Sequence, residues 1–206
     1  MRILILGATG RVGQQWITQA LADGHEVKAL VRDPSKITTE HSNLALLRGD
    51  ATDSSDLTQA TQGIDAVLSA LSTDGGSALT ECAPLLIEAM NQHHIQRILS
   101  IGTAGILNSR TEPGLLRYQS NESRRTLTRA AEEHHRFYEL MDQSGLDWTI
   151  VCPTYLPDGE RTGHYRVLRD FLPVDGVQIS VQDTADFAYQ QLFSDEYIRS
   201  RAGIAY

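Results

Sequence analysis

Ile3-Leu4-Ile5-Leu6-Gly7-Ala8-Thr9-Gly10-Arg11-Val12-Gly13 decides the fold of this chain. The four apolar residues read as a strand buried on both faces, which is the pattern of a parallel sheet. The glycines that follow are spaced GxxGxxG. Gly7 permits a tight turn out of the strand, Gly10 lets backbone approach a pyrophosphate, and Gly13 allows close packing of the next helix. That helix is predicted from Arg11 to about Asp23. Val12, Trp16, Ile17, Ala20 and Leu21 form its apolar stripe, and Gly24 suits its C-terminal end. Strand, glycine turn and amphipathic helix together make a dinucleotide-binding unit. Its first helical turn presents unpaired N–H groups to the phosphates, through Gly7, Thr9, Gly10, Arg11 and Val12.

Outward from this unit, strands and helices alternate. Strands are expected at Val27–Val31, Leu44–Leu47, Ala66–Ala70, Ile98–Ile101 and Trp148–Val151. Helices are expected from Asp53 to about Thr61, from Pro84 to His93, from Glu122 to Gln143 and from Asp183 to Phe193. The alternation predicts a single-domain Rossmann-type α/β fold over residues 1–206, a doubly wound parallel sheet with helices on both faces. Two stretches break the pattern, Thr103–Gln119 and Pro153–Asp175. Each follows a strand and so emerges at the carboxyl edge of the sheet, where ligands bind in this architecture. Long loops in compact domains are usually functional, so both are expected on the substrate side.

Composition narrows the partners. The chain has 206 residues, 41% hydrophobic and 21% charged, with a formal net charge of −8. An acidic surface disfavours nucleic acid and anionic membranes, and no apolar run reaches the roughly 20 residues of a membrane span. The N-terminal apolar run is too short for a signal peptide, and Cys82 and Cys152 form neither a metal motif nor a disulfide framework, so a cytoplasmic location is expected. The seven histidines include the adjacent pairs His93-His94 and His134-His135, not the i, i+4 spacing of a helical metal site, so no metal is expected. Arg124, Arg125 and Arg129 alternate with glutamates and read as a solvated, ion-paired face. The long helix could pair in a dimer or spend its apolar face on the sheet, which leaves monomer or homodimer open.

The residue after the second strand selects the cofactor. An NAD site offers a carboxylate to the ribose 2′-hydroxyl there. Here Arg32 holds the position and Lys36 lies nearby, a pair suited to a 2′-phosphate, so NADP(H) is preferred and NAD(H) remains possible. Asp33 either pairs with Arg32 or turns away from the ribose. Asp50-Ala51, after the third strand, sits at the adenine edge, with Asp50 either accepting from the adenine amino group or capping the next helix.

These residues carry a family resemblance. GATGRVG at Gly7–Gly13, Val31-Arg32-Asp33-Pro34, Gly49-Asp50, Asp65-Ala66-Val67 and Ser144-Gly145-Leu146-Asp147-Trp148-Thr149-Ile150-Val151-Cys152-Pro153 resemble the atypical short-chain dehydrogenases/reductases. The nearest groups are NmrA-like proteins and NADPH-dependent flavin and biliverdin-IXβ reductases. The resemblance spans nearly the whole chain and implies further sites. Ala70, Leu71 and Ser72 would cover the cofactor. Thr103 would lie near the nicotinamide, and Pro153, Thr154 and Tyr155 would meet its carboxamide.

The chain departs from the better-known members, whose Tyr-x-x-x-Lys pair moves the substrate proton. Its two lysines are Lys28 and Lys36, and no such pair exists. Many atypical relatives carry a lysine four residues before a glutamate on the long helix. Glu139 is present here, and the lysine position holds His135. Flavin-reductase-like relatives have a histidine at the place of His134, which is therefore either the proton source or an ordinary helix histidine. Reduction of a flavin or quinone needs orientation and a dry pocket more than an acid–base pair. Tyr118 and Tyr155 either line a planar-substrate pocket or pack. The resemblance implies an NAD(P)H-dependent reductase of a planar acceptor. The alternative is a sensor that binds the dinucleotide without turnover, and a sugar-nucleotide epimerase is a third and weaker reading.

Overall fold

The computed structural model describes residues 1–73, 75–123 and 127–206. Eight strands form one sheet: β1 (Arg2–Leu6), β2 (Glu26–Val31), β3 (Leu44–Arg48), β4 (Ala66–Ser69), β5 (Arg97–Ile101), β6 (Asp147–Pro153), β7 (Arg166–Arg169) and β8 (Ser200–Ala205). Their order is β3-β2-β1-β4-β5-β6-β8-β7. Every pairing is parallel except β7 with β8, which is antiparallel. The sequence reverses direction between β1 and β4, so a crevice opens at the carboxyl ends of those strands.

Alternation along β1 assigns the two faces. Ile3 and Ile5 join the core under α1 (Arg11–Ala22) and α5 (Val181–Gln190), with Val12, Trp16, Ile17, Ala185 and Ala188. Leu4 and Leu6 join the core under α2 (Ser54–Thr61), α3 (Ala78–Gln92) and α4 (Arg129–Gln143), with Leu57, Leu86, Phe137 and Met141. Trp16 is fully buried, and its Nε1 donates to Ala185 O at 3.0 Å, so one side chain ties α1 to α5. Truncating it to alanine would cost about 3–5 kcal/mol.

Several boundaries differ from expectation. Helix α3 begins at Ala78 rather than Pro84, and Pro84 lies inside it. Helix α4 begins at Arg129 rather than Glu122. Glu122 instead gathers loop donors: Ser109 Oγ and Thr111 N each at 2.9 Å, with Arg110 N and Arg117 besides. Arg124, Arg125 and Thr126 lie outside the described residues. The stretch Pro153–Asp175, expected as a loop, contains β7, which makes the sheet mixed at that edge. Strand β8, expected nowhere, is buried throughout. No helix among the described residues is long and apolar enough to cross a membrane.

Candidate functional site

The glycine turn is built as the spacing requires. Gly7 has φ +72°, and a Cβ there would lie 2.4 Å from Ala70 O, so the exit of β4 passes too close for a side chain. Gly10 N donates to Gly7 O at 3.0 Å, and Gly10 caps α1 with φ −79° and no side-chain cap. A Cβ on Gly13 would lie 2.3 Å from Gly7 O and 2.8 Å from Ala8 Cα. The close approach that needs Gly13 is therefore to the turn itself rather than to the strands. The first N–H groups of α1 face outward as donors at the positive end of the helix dipole. The Val12 side chain is buried, so its contribution to a ligand is its N–H. Thr9 is exposed, and its carbonyl accepts from Gln14 Nε2 at 3.1 Å.

Arg11 does something the sequence did not signal. Its guanidinium reaches Leu156 O at 2.9 Å and Asp158 Oδ1 at 3.0 Å, in the segment that follows β6. The ion pair is exposed, 56% on the arginine and 82% on the aspartate, and so adds little to stability. Its effect is positional, strapping the post-β6 segment to the first turn of α1.

At the ribose end, Arg32 is exposed directly after β2, and Lys36 ends the 3-10 turn Pro34–Lys36. Asp33 is turned into Ser35, accepting from its N at 3.1 Å and its Oγ at 2.7 Å. Those bonds hold the Asp33 carboxyl below the usual range, with Lys36 and Arg48 adding smaller attractions. Of the two readings of Asp33, the structure shows the one that leaves Arg32 unpaired by it. Arg48 was not anticipated. It closes β3 beside Val31, and a basic residue ending the strand next to β2 was the available signal. Asp50 accepts from Thr52 N and Oγ1, each at 2.9 Å, and these bonds hold its pKa low. Helix α2 is capped by Asp53, which accepts from Asp56 N at 3.0 Å, so capping is not the task of Asp50. Ala51 packs against the core under α2 and α3.

The nicotinamide end gathers the ends of β4, β5 and β6. Ala70 and Leu71 are half-buried and Ser72 exposed. Thr103 follows β5, and its Oγ1 accepts from Gly105 N at 3.4 Å. Pro153 closes β6 and is buried. Thr154 Oγ1 is buried without a hydrogen-bond partner, a cost that a ligand group could relieve. Tyr155 is 61% exposed, with its backbone fixed by Ile179 N at 3.0 Å. His134 is half-buried on α4, and burial pushes its pKa down to about 4. Its ring is neutral at pH 7. His135 instead meets Tyr118, its Nδ1 2.9 Å from the phenolic oxygen. Burial holds the Cys82 and Cys152 thiols up at about 12, so neither is a nucleophile.

These features fit a nicotinamide dinucleotide: a turn with no room for side chains, helix N–H groups at the start of α1, and an orphaned buried hydroxyl at the end of β6. Residues 7–195 match the model of the family described as NAD(P)H-binding. The chain belongs to that family. Within it, this NAD(P)H-binding protein is an atypical short-chain dehydrogenase/reductase. It is similar to the uncharacterized protein YwnB of Bacillus subtilis, 28% identical over 193 residues that span 91% of this chain and 89% of YwnB. Among solved structures, a candidate epimerase from Bacteroides thetaiotaomicron is 30% identical with a TM-score of 0.86, covering 100% of this chain and 96% of the other. SP1627 of Streptococcus pneumoniae, described as a candidate NADH-flavin reductase, is 27% identical with a TM-score of 0.80, covering 100% and 99%. Two hollows of this NAD(P)H-binding protein lie away from these residues: about 370 Å³ beside Arg2 and Lys28 at the amino ends of the strands, and about 520 Å³ between the starts of α3 and α4.

Proposed function

We propose that this protein is an NADPH-dependent reductase that acts on a flavin, a quinone or a similar planar acceptor, working as a monomer or homodimer in the cytoplasm. The observation that carries the reading is the pair Thr154-Tyr155 at the end of β6. An orphaned buried hydroxyl stands beside a largely exposed aromatic ring, on the edge that Arg11 straps to the phosphate turn. NADPH supplies the hydride when bound. Gly7, Gly10 and the first N–H groups of α1 hold the pyrophosphate, and Arg32 with Lys36 holds the 2′-phosphate. Thr154 engages the carboxamide, Thr103 borders the nicotinamide, and Tyr155 offers a face on which a planar acceptor stacks. SP1627 supports a flavin as acceptor, and its description names NADH, so both cofactors belong in the test.

A second reading is a dinucleotide sensor without turnover. The neutral His134 and the missing Tyr-x-x-x-Lys pair favour it. An epimerase, the description given to the Bacteroides structure, suits this chain less well for want of that same pair. The test is a binding titration of NADPH against NADH, followed by NADPH oxidation at 340 nm with FMN, riboflavin and a small quinone. Turnover supports the reductase. Tight binding with no turnover for any acceptor replaces it with the sensor, and equal affinity for NADH removes the 2′-phosphate assignment.

A further inference from the structure

The stretch that leaves β5 folds back so that its end lies beside its beginning. A Cβ built on Gly105 would stand 3.5 Å from Tyr118 Cβ and 3.6 Å from Thr103 Cγ2, with Ala131 of α4 at 3.1 Å. Tyr118 and Thr103 thus flank Gly105, and Ala131 on its third side lies one turn of α4 before His135. Its hydroxyl meets His135 Nδ1 at 2.9 Å, with the two rings edge to face at 5.7 Å. On the other side of the same imidazole, Nε2 lies 3.6 Å from Glu139 Oε1. Tyr118 and His135 are both half-buried, the histidine side chain at 23%, and Glu139 is exposed at 55%. Tyr118, His135 and Glu139 form a chain of three proton-exchanging groups that ends at an exposed carboxylate.

We propose that Tyr118 is the proton donor to the acceptor and that His135, flanked by Glu139, returns the proton from solvent. The inference rests on the reductase reading. The acceptor gains a hydride from NADPH and a proton from Tyr118 Oη, so it takes up two electrons and two hydrogens while the nicotinamide is oxidised. Tyr118 then recovers its proton from His135 Nδ1, and His135 recovers one from water beside Glu139. A tyrosine hydroxyl is protonated at neutral pH, as a donor requires, and burial pushes that of Tyr118 further up. Other charges act on the relay: Glu132 and Arg136 of α4 act on Tyr118, while Arg201, Asp142 and Asp170 act on Tyr138, whose ring stacks on His135. Gln119 Nε2 also donates to Tyr118 Oη, at 3.3 Å.

The test compares wild type with Tyr118→Phe, His135→Ala and Glu139→Gln, each first titrated with NADPH by nicotinamide fluorescence. Expected are unchanged NADPH affinity, a kcat about 100-fold lower for Tyr118→Phe, loss of its solvent deuterium isotope effect, and recovery of His135→Ala turnover by added imidazole. Glu139→Gln should shift the pH profile of kcat with little change in KM. Wild-type kcat and isotope effect in Tyr118→Phe, or no imidazole rescue of a folded His135→Ala, would overturn the relay and leave the reductase standing. A wild-type protein that binds NADPH and turns over no acceptor would overturn both.

Discussion

Gly10 and Gly13 belong to one motif but answer to different constraints, and alanine at each separates them. At Gly13 the new methyl would sit 2.3 Å from Gly7 O and 2.8 Å from Ala8 Cα, both main-chain atoms, where ordinary contact begins at 3.4 Å. The start of α1 must retreat by about 1 Å, as overpacking of a rigid site, which costs about 1–3 kcal/mol. Alanine is the better helix former by about 1 kcal/mol, so the clash wins by about 2 kcal/mol at its upper end. For a chain of this length that lowers Tm by about 4–8 °C. At Gly10 the methyl meets one atom, Gly7 O at 3.2 Å, from an ordinary φ of −79°. The change there is a cap substitution of about 1 kcal/mol or less, with Tm within about 4 °C of wild type. The same methyl stands where the pyrophosphate approaches, so NADPH should bind at least about tenfold more weakly, a loss of roughly 1.4 kcal/mol. Thermal melts with and without NADPH, together with a fluorescence titration, read both quantities. A Gly13→Ala protein more stable than wild type, or a Gly10→Ala protein with wild-type affinity, would refute this division of roles.

Arg32→Gln should weaken NADPH about 10–100-fold, the worth of one or two charge-assisted hydrogen bonds, and leave NADH within about twofold, as titrations with both cofactors would measure. Asp183 is buried, which alone would raise its pKa, but bonds from Tyr206, Gly163 and Thr162 hold it below 3.8. Its contribution is therefore complete above its unfolded pKa of about 3.9 and is lost as pH falls through the lower folded value. Asp183→Asn should cost about 3 kcal/mol at pH 7 by denaturant unfolding, and the gap to wild type should close below pH 3.9. His134 runs in the same sense at higher pH: burial lowers its folded pKa from 6.5 to about 4, so the unfolded chain binds the proton first and stability falls as pH drops from 6.5 towards 4. His134→Gln should flatten the stability curve across that window and leave it unchanged at pH 8.

Apolar runs made β1, β2, β4, β5 and β6 legible, because a parallel strand covered on both faces carries mostly apolar side chains. Strand β8 breaks that rule and was missed. Its Arg201 is buried, but the charge is matched by Asp170 Oδ1 at 3.0 Å, and Nη2 donates to Asn108 Oδ1 at 2.9 Å with the ring of Tyr138 at 4.4 Å. Gly203 in the same strand is required because a Cβ would lie 2.1 Å from Phe171 O. Both facts depend on contacts from Asp170 and Phe171, just after β7, and from the post-β5 segment, which no local pattern encodes. Helix α4 was drawn too long for a related reason: Glu122, expected as its first residue, accepts from Ser109, Arg110, Thr111 and Arg117 instead. Tertiary hydrogen bonds outweighed a propensity difference of a few tenths of a kcal/mol per residue.

The histidine pair shows where site prediction from sequence ends. Neighbours on a helix diverge by about 100°, so one ring alone can face the cofactor edge, and both residues carry identical chemistry. Burial separates them. His134 is shielded enough that its ring stays neutral far below pH 7, and a neutral imidazole can donate a hydrogen bond but holds no surplus proton. His135 turns to the segment after β5 and finds a phenol on one nitrogen and a carboxylate near the other. A two-electron reduction still requires a proton at the acceptor. Either water provides it directly, in which case the histidines are indifferent to turnover, or it passes through the one histidine with a partner on each side. The pH dependence of kcat distinguishes the two, since direct donation by water leaves Tyr118→Phe and wild type with the same profile.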